Sequence, residues 1–271
     1  MTRALFSGLP LSPAQLDALN GLSYTEMTPV QAQSLPAILA RKDVIIQAKT
    51  GSGKTAAFAI GLLHHLNPRH FGVQAMVMCP TRELAEQVGD VIRQLASRMP
   101  NIKVVMLCGG KPFGPQRDSL EHGAHVVVGT PGRIQDHLQR HTLHLTGLTT
   151  FVLDEADRML DMGFADVMAS ITASLPRARQ TLLLSATIPD DILKISRSIQ
   201  REPVSIKANS VVAEDNTTLE QLFFEIHKQE RDTALLALFD HYQTQNATVS
   251  YTHMTLPTSY AEYISVVAVS F

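Results

Sequence analysis

The sequence predicts an α/β domain: an open, doubly wound, mainly parallel sheet with helices on both faces. Three observations carry that prediction. Six short β-branched or apolar runs, at 44–47, 75–79, 104–107, 125–128, 151–153 and 181–184, are mostly separated by segments of helical periodicity, the alternation expected of βαβ units. The runs are nearly continuous in hydrophobicity, as suits parallel strands covered by helices on both sides. Each run is followed at once by small, hydroxylic or charged residues. Parallel strands share a direction, so these followers are expected along one carboxyl rim, where open α/β sheets bind ligands.

Taken in order, the first run leads into Ala48-Lys49-Thr50-Gly51-Ser52-Gly53-Lys54-Thr55 and then a helical stretch over 56–66. That is a P-loop between strand and helix, with Ala48 in place of the motif's first glycine. Its glycines let backbone N–H groups turn towards phosphate oxygens, and the helix amino end adds favourable potential. Lys54 can reach the β- and γ-phosphates, and Thr55 can ligand Mg²⁺. Upstream, Thr28-Pro29-Val30-Gln31 forms a capping box with proline at the first helical position, and local physics favours that reading. The Gln31 amide also has the donor and acceptor needed to pair with the N6 and N7 edge of adenine.

The second, third and fourth runs lead into Thr81-Arg82-Glu83, Cys108-Gly109-Gly110 and Gly129-Thr130-Pro131-Gly132-Arg133. Solvated surface charge is the usual fate of residues such as Arg82, Lys111 and Arg133. Their shared rim favours phosphate contacts, with the glycine turns admitting a sugar–phosphate backbone: sequence-independent strand binding. The fifth run ends in Asp154-Glu155-Ala156-Asp157; beside a P-loop, Asp154 suits a metal and Glu155 the attacking water. The sixth ends in Ser185-Ala186-Thr187 before Pro189, which reads locally as a helix start or as part of the rim.

Composition narrows the function classes. The net charge of −2 and pI near 6.6 exclude a polycation that holds nucleic acid by bulk charge, while leaving room for a local basic groove. No apolar run reaches the 18 residues of a membrane span, and Pro10 and Pro13 interrupt any signal-peptide core, so a cytoplasmic chain without a membrane partner is expected. Cys79 and Cys108 are too few for a zinc ribbon or disulfide framework and are expected as free, buried thiols. His137, His141 and His144, at near-helical spacing, read as a solvated face and not as a metal site.

Residues 207–218 read as a polar linker. Residues 219–226 and 231–242 then read as the strand and helix that begin a second α/β unit, too little chain to bury its own apolar face. In the last 23 residues Glu262 is the only Asp, Glu, Lys or Arg, and seven residues are Ser or Thr. The stretch VSYTHMTLPT looks like a translated transposon adapter with one change, at Met254. Residues 249–271 are therefore expected to be non-native, the alternative being a genuine C-terminal strand with a polar turn.

TPVQ, AKTGSGKT, PTRELAEQ, GG, TPGR, DEAD and SAT occur in that order, and over residues 4–248 the chain resembles the DEAD-box ATP-dependent RNA helicases. The resemblance implies a RecA-like P-loop NTPase lobe over 1–206 with an amino-terminal Q motif, using ATP and Mg²⁺. It implies that Gln31 reads adenine, that Thr50, Gly51, Ser52, Gly53, Lys54 and Thr55 hold the phosphates, that Thr55 and Asp154 hold Mg²⁺, and that Lys54, Asp154 and Glu155 serve hydrolysis. Arg82, Gly110, Thr130 and Arg133 would line the RNA path, and Ser185 and Thr187 would bond Asp157 and couple nucleotide state to RNA. Phe6 or Tyr24 would supply an aromatic near the adenine. The family closes ATP and RNA between two lobes, the second carrying HRxGRxxR, which does not occur here. This chain is therefore expected as a first lobe, monomeric and nearly inactive alone. Bacterial members most like it carry a further C-terminal domain that directs them to large-subunit ribosomal RNA and its assembly. A DNA-directed P-loop ATPase and a non-catalytic RNA- or nucleotide-binding module are the alternatives.

Overall fold

Seven strands run parallel in one sheet: β1 Val44–Gln47, β2 Ala75–Met78, β3 Val104–Leu107, β4 Val126–Gly129, β5 Thr150–Leu153, β6 Gln180–Ser185 and β7 Val204–Lys207. Their order is β3-β4-β2-β5-β6-β1-β7. This computed structural model describes residues 4–207, 224–225, 231–243 and 263–264. The six runs read from the sequence are β1 to β6, within a residue or so at each end. The seventh, β7, was not expected. At the sheet edge its residues alternate in burial, so it lacks the continuous apolar signature of the interior strands. Its last residue, Lys207, belongs to the sheet and not to the linker; the rest of that predicted linker lies outside the described residues.

The helices are α1 Pro13–Gly21, α2 Pro29–Leu39, α3 Lys54–His64, α4 Arg82–Leu95, α5 Phe113–Glu121, α6 Pro131–Gln139, α7 Ala156–Asp161, α8 Ala165–Ala173 and α9 Asp190–Ile199. Two cores sandwich the sheet. On one face Val44, Ile46, Val77, Val152 and Leu184 pack with Leu35 and Ile38 of α2, Phe58 and Leu62 of α3, and Val88 and Ile92 of α4. On the other, Ile45, Met76, Met78, Phe151 and Leu183 pack with Ile134 of α6, Met159 of α7, Met168 and Ile171 of α8, and Ile192 of α9. Alternate residues of the interior strands thus feed opposite cores, which is why both faces of those strands are apolar.

Register aligns the strand ends. Gln47 stands opposite Ser185, Leu153 opposite Leu183 and Met78, and Gly129 opposite Met78 and Leu107. The backbone ladder runs on into the followers: Ala48 N–H donates to Ser185 O (3.1 Å), Asp154 N–H to Met78 O (3.0 Å), Cys79 N–H to Gly129 O (2.9 Å) and Thr130 N–H to Leu107 O (3.0 Å). All six motif-bearing segments therefore start from one hydrogen-bonded rim. Cys79 and Cys108, just past β2 and β3, are buried free thiols.

The chain divides into two compact units, Met1–Asn209 and Ser210–Phe271. The described parts of the second are β8 Phe224–Glu225, paired antiparallel with β9 Tyr263–Ile264, and α10 Arg231–Tyr242. The predicted strand over 219–226 and the predicted non-native segment 249–271 otherwise fall outside the described residues. Among the described residues no helix is long and apolar enough to cross a membrane.

Candidate active site

A cavity of about 400 Å³ opens over the P-loop. Gln31, Thr50, Gly51, Gly53, Lys54, Thr55, Asp154 and Glu155 all line it. Gly53 caps α3 in a left-handed conformation (φ 92°), and a Cβ there would lie 2.6 Å from Gln31 Nε2, so any side chain would disrupt the turn. No side chain caps the amino end of α3 and no acidic residue sits in its first turn, leaving first-turn N–H groups available to an anion. Lys54, 7% exposed, folds its ammonium onto the carbonyls of Ala48 and Lys49, the latter at 2.8 Å. Burial lowers its pKa, opposed by Asp154, Glu155 and Asp157. Ser52 is the exception: it does not line the cavity, its hydroxyl is buried without a partner among the described residues, and its carbonyl is taken by Thr28 Oγ1 (2.9 Å).

Gln31 forms the helix cap and also reaches the P-loop backbone. Thr28 N–H donates to Gln31 Oε1 at 2.9 Å, completing the capping box, while Gln31 Nε2 donates to Gly53 O at 3.1 Å. An amide carries two N–H donors and two lone pairs. One donor and one lone pair remain on a side chain that lines the cavity. Of the two aromatic candidates, Tyr24 lines the cavity, whereas Phe6 is buried in the core that also holds Val30 and Leu35.

Asp154 is 3% exposed, and its carboxyl is pushed up to about 6 by burial, only partly opposed by Lys54 and reinforced by Glu155. A dry carboxylate with its charge incompletely balanced, sharing a cavity with the Thr55 hydroxyl, is a hard-oxygen donor set of the kind that suits Mg²⁺. Glu155 sits at φ 52°, left-handed for a non-glycine, and its carboxylate accepts from Arg158 Nη1 at 3.3 Å. Such an outlier persists only where its surroundings impose it. Next in the chain, Asp157 reaches the end of β6: Thr187 donates its N–H (2.8 Å) and hydroxyl (2.9 Å) to Asp157 Oδ2, and Asp157 N–H donates to Ser185 Oγ (3.2 Å). Burial opposes ionisation of Asp157, but these bonds outweigh it and hold the carboxyl below its usual range.

The other half of the rim, from β2, β3 and β4, is arginine-bearing. Gly110 (φ 75°) leaves room for the Arg82 guanidinium; a Cβ would collide with it. Arg133 Nη1 donates to Lys111 O at 3.0 Å. Arg82 and Arg133 therefore converge on the 109–111 turn from α4 and α6. Thr130, the N-cap of α6, makes no side-chain cap bond. Lys111 is ion-paired with Glu86 at 2.5 Å. His137 corrects the histidine reading: it is fully buried, with its ring stacked on Phe113 at 4.1 Å, while His141 and His144 are exposed. Its solvated appearance in sequence is overridden by a packing partner 24 residues away.

The cavity also uses residues that the sequence reading passed over: Leu84, Gln87 and Val91 of α4 line it. Their i, i+3, i+7 spacing marks one helix face, the only signal that could have found them.

Comparison with known proteins places the chain. The DEAD/DEAH box helicase family model matches residues 28–195. ATP-dependent RNA helicase DbpA of Escherichia coli (strain K12) is 52% identical over 239 residues, 88% of this chain and 52% of that protein. DEAD-box ATP-dependent RNA helicase CshA of Geobacillus kaustophilus is 41% identical over 237 residues, 87% of this chain and 50% of that one. A crystal structure of a DEAD box protein from the hyperthermophile Methanococcus jannaschii superposes with a TM-score of 0.73 at 39% identity, covering 87% of this chain and 63% of that chain. The chain belongs to the DEAD/DEAH box helicase family and has its RecA-like fold. It spans about half the length of the curated relatives it matches.

Proposed function

We propose that residues 1–206 are the ATP- and RNA-binding lobe of an ATP-dependent RNA helicase that couples hydrolysis to local duplex separation. The observation that carries this reading is the continuity of one rim, which bears the phosphate-ready cavity and the Asp157–Thr187 link at the ends of β1, β6 and β5, and the arginine-bearing segments at the ends of β2, β4 and β3. Gln31 offers its remaining donor and lone pair to adenine N7 and N6, and Tyr24 packs beside the base. The α3 amino end and Lys54 neutralise the phosphates; to do so Lys54 exchanges its P-loop carbonyls for phosphate oxygens. Thr55 and Asp154 would hold Mg²⁺, which supplies charge neutralisation at the phosphates. Glu155 orients the attacking water and takes its proton. Arg82 and Arg133 bind phosphates of the RNA strand, Gly110 and Thr130 admit its backbone, and Asp157 with Ser185 and Thr187 relays between the two halves.

Residues 219–248 then begin a second lobe, after the linker, and 249–271 are a non-native tail. Arginines that reach the γ-phosphate contribute roughly three to five orders of magnitude to hydrolysis in P-loop enzymes. This 271-residue chain contains no HRxGRxxR, so it is expected to bind ATP weakly and turn it over very slowly as a cytoplasmic monomer. A role in large-subunit ribosome assembly is proposed only for a longer product bearing the further RNA-binding domain. The test is ATP turnover by this chain with and without saturating RNA, beside a longer product reading on from Thr248. RNA-stimulated turnover in the longer product alone supports the proposal; equal rates in both overturn it. Competition between RNA and DNA oligomers separates an RNA reader, which uses the 2′-hydroxyl, from a DNA-directed ATPase.

A further inference from the structure

Phe113 opens α5 directly after the 109–111 turn and is half-buried, with no role in the motifs described so far. Two side chains of α6, and that of Arg140, which caps the carboxyl end of this helix, meet the Phe113 ring. His137 stacks on it with centroids 4.1 Å apart and planes 15° from parallel. The guanidinium carbons of Arg140 and Arg133 lie over it at 4.6 and 5.8 Å from the centroid. Positions 133, 136, 137 and 140 share one face of a helix, so the whole set is presented to α5 together.

Arg133 is confined by this arrangement. Its side chain is only 15% exposed although it stands at the rim. Nη1 donates to Lys111 O, and Nε lies 3.8 Å from Asp136 Oδ2, while Asp136 Oδ1 accepts from Arg140 Nε at 2.6 Å. His137 is anchored in turn by Thr142, whose hydroxyl lies 2.8 Å from its Nδ1. An arginine held by a ring, a carbonyl and a carboxylate has lost its rotamer freedom before a phosphate arrives, so less is lost on binding.

We propose that Phe113, backed by His137, is a positioning residue that holds Arg133 in its RNA-binding geometry. The proposal rests on the reading of this rim as the RNA path. A merely structural Phe113 would join α5 to α6 without affecting ion-linked RNA binding; a positioning Phe113 acts through one phosphate contact. Each such contact contributes about 0.7 to the slope of log affinity against log salt for single strands.

The experiment titrates a fluorescent oligouridylate into the full 271-residue chain over a range of salt concentrations. It compares wild type with Phe113→Leu, Phe113→Tyr, Arg133→Gln and the Phe113→Leu/Arg133→Gln double variant, with melting curves alongside. Arg133→Gln is expected to weaken binding about fivefold and to lower the slope by about 0.7. Phe113→Leu should reproduce most of both effects, the double variant should add nothing to Arg133→Gln, and Phe113→Tyr, which keeps the ring, should bind as wild type. Should Phe113→Leu fail to fold, Phe113→Met, of similar volume and without a ring, takes its place. A wild-type slope in Phe113→Leu, or losses that add in the double variant, would overturn the proposal. Wild-type behaviour of Arg133→Gln would instead overturn the RNA-path reading and the proposal with it.

Discussion

The strands β5 and β1 lead into buried ionisable groups, Asp154 and Lys54, with the Ser185–Thr187 segment at the end of β6 between them, whereas β3 and β4 lead into glycine-bearing turns and β2 into Arg82, whose guanidinium overlies Gly110. The first group sits in a dry cavity where burial disturbs both charges, raising Asp154 and lowering Lys54. The second leaves its cations wet or bonded to carbonyls, as Arg133 is to Lys111 O. The difference follows from the ligands proposed for each half. A compact triphosphate with a divalent cation rewards desolvated, fixed charges; an extended phosphate backbone rewards a row of exposed donors that need not enclose it. Between the halves stands α4, with Arg82 at its amino end and Leu84, Gln87 and Val91 on the cavity, while the Asp157–Thr187 link joins the segments that follow β5 and β6 within the cavity half.

The largest effect that would sharpen this contrast is loss of the P-loop ammonium. Lys54→Ala should weaken binding of a fluorescent ATP analogue roughly 100-fold, the scale of a lost charge-assisted contact in a dry site, and leave oligouridylate affinity unchanged. Fluorescence titration of both ligands checks it.

Asp154 makes the cavity half unstable by design. Its folded pKa lies above its unfolded value, so the ionised carboxyl costs stability above about pH 6, and that cost fades as pH falls towards 4. Asp154→Asn should therefore stabilise the fold at pH 7.5 by about 2 kcal/mol in urea unfolding while removing Mg²⁺-dependent nucleotide binding. His137, across the rim, has the opposite sign. Burial first, then Arg133, pushes it down to about 4, so its stability contribution is full above pH 6.5 and is lost as pH falls towards 4. The two nearly offset in the wild type between pH 4 and 6.5. In Asp154→Asn the fall due to His137 should be unopposed by Asp154, a loss of about 2 kcal/mol across that window to which His64, His65 and His125, also shifted down by burial, add in the same direction; a flat profile in the variant would contradict this assignment.

On the arginine half, Arg82→Gln should cost about fivefold in oligouridylate affinity and lower the salt slope by about 0.7, with nucleotide affinity unchanged. Gly110→Ala should follow it in RNA binding, because the new methyl displaces the Arg82 guanidinium, and lose about 1 kcal/mol of stability to the left-handed backbone. The smallest effect belongs to the link. Thr187→Val removes one of the hydrogen bonds to Asp157, costing about 1 kcal/mol, and should leave each ligand's separate affinity near wild type while reducing the effect of one ligand on the other. Titration of oligouridylate with and without the ATP analogue measures that coupling.

Legibility in sequence divides along similar lines. Interior strands announced themselves because both faces are buried, and the P-loop because its chemistry is carried by consecutive residues. The edge strand β7 was missed because Val204 to Lys207 alternates in burial. His137 was misread because its partner, Phe113, belongs to another helix, and Gln87 was invisible because only the packing of α4 beside the P-loop brings it to the cavity. Gln31 was ambiguous for a physical reason: the same amide completes a helix cap and touches Gly53.

The most direct test of a rim divided into two sites is a crossed titration of ATP analogue and oligouridylate against Lys54→Ala and the Arg82→Gln/Arg133→Gln double variant. The account predicts that each variant loses one ligand and keeps the other, with circular dichroism unchanged. Loss of both ligands by either folded variant, or retention of both, would contradict it.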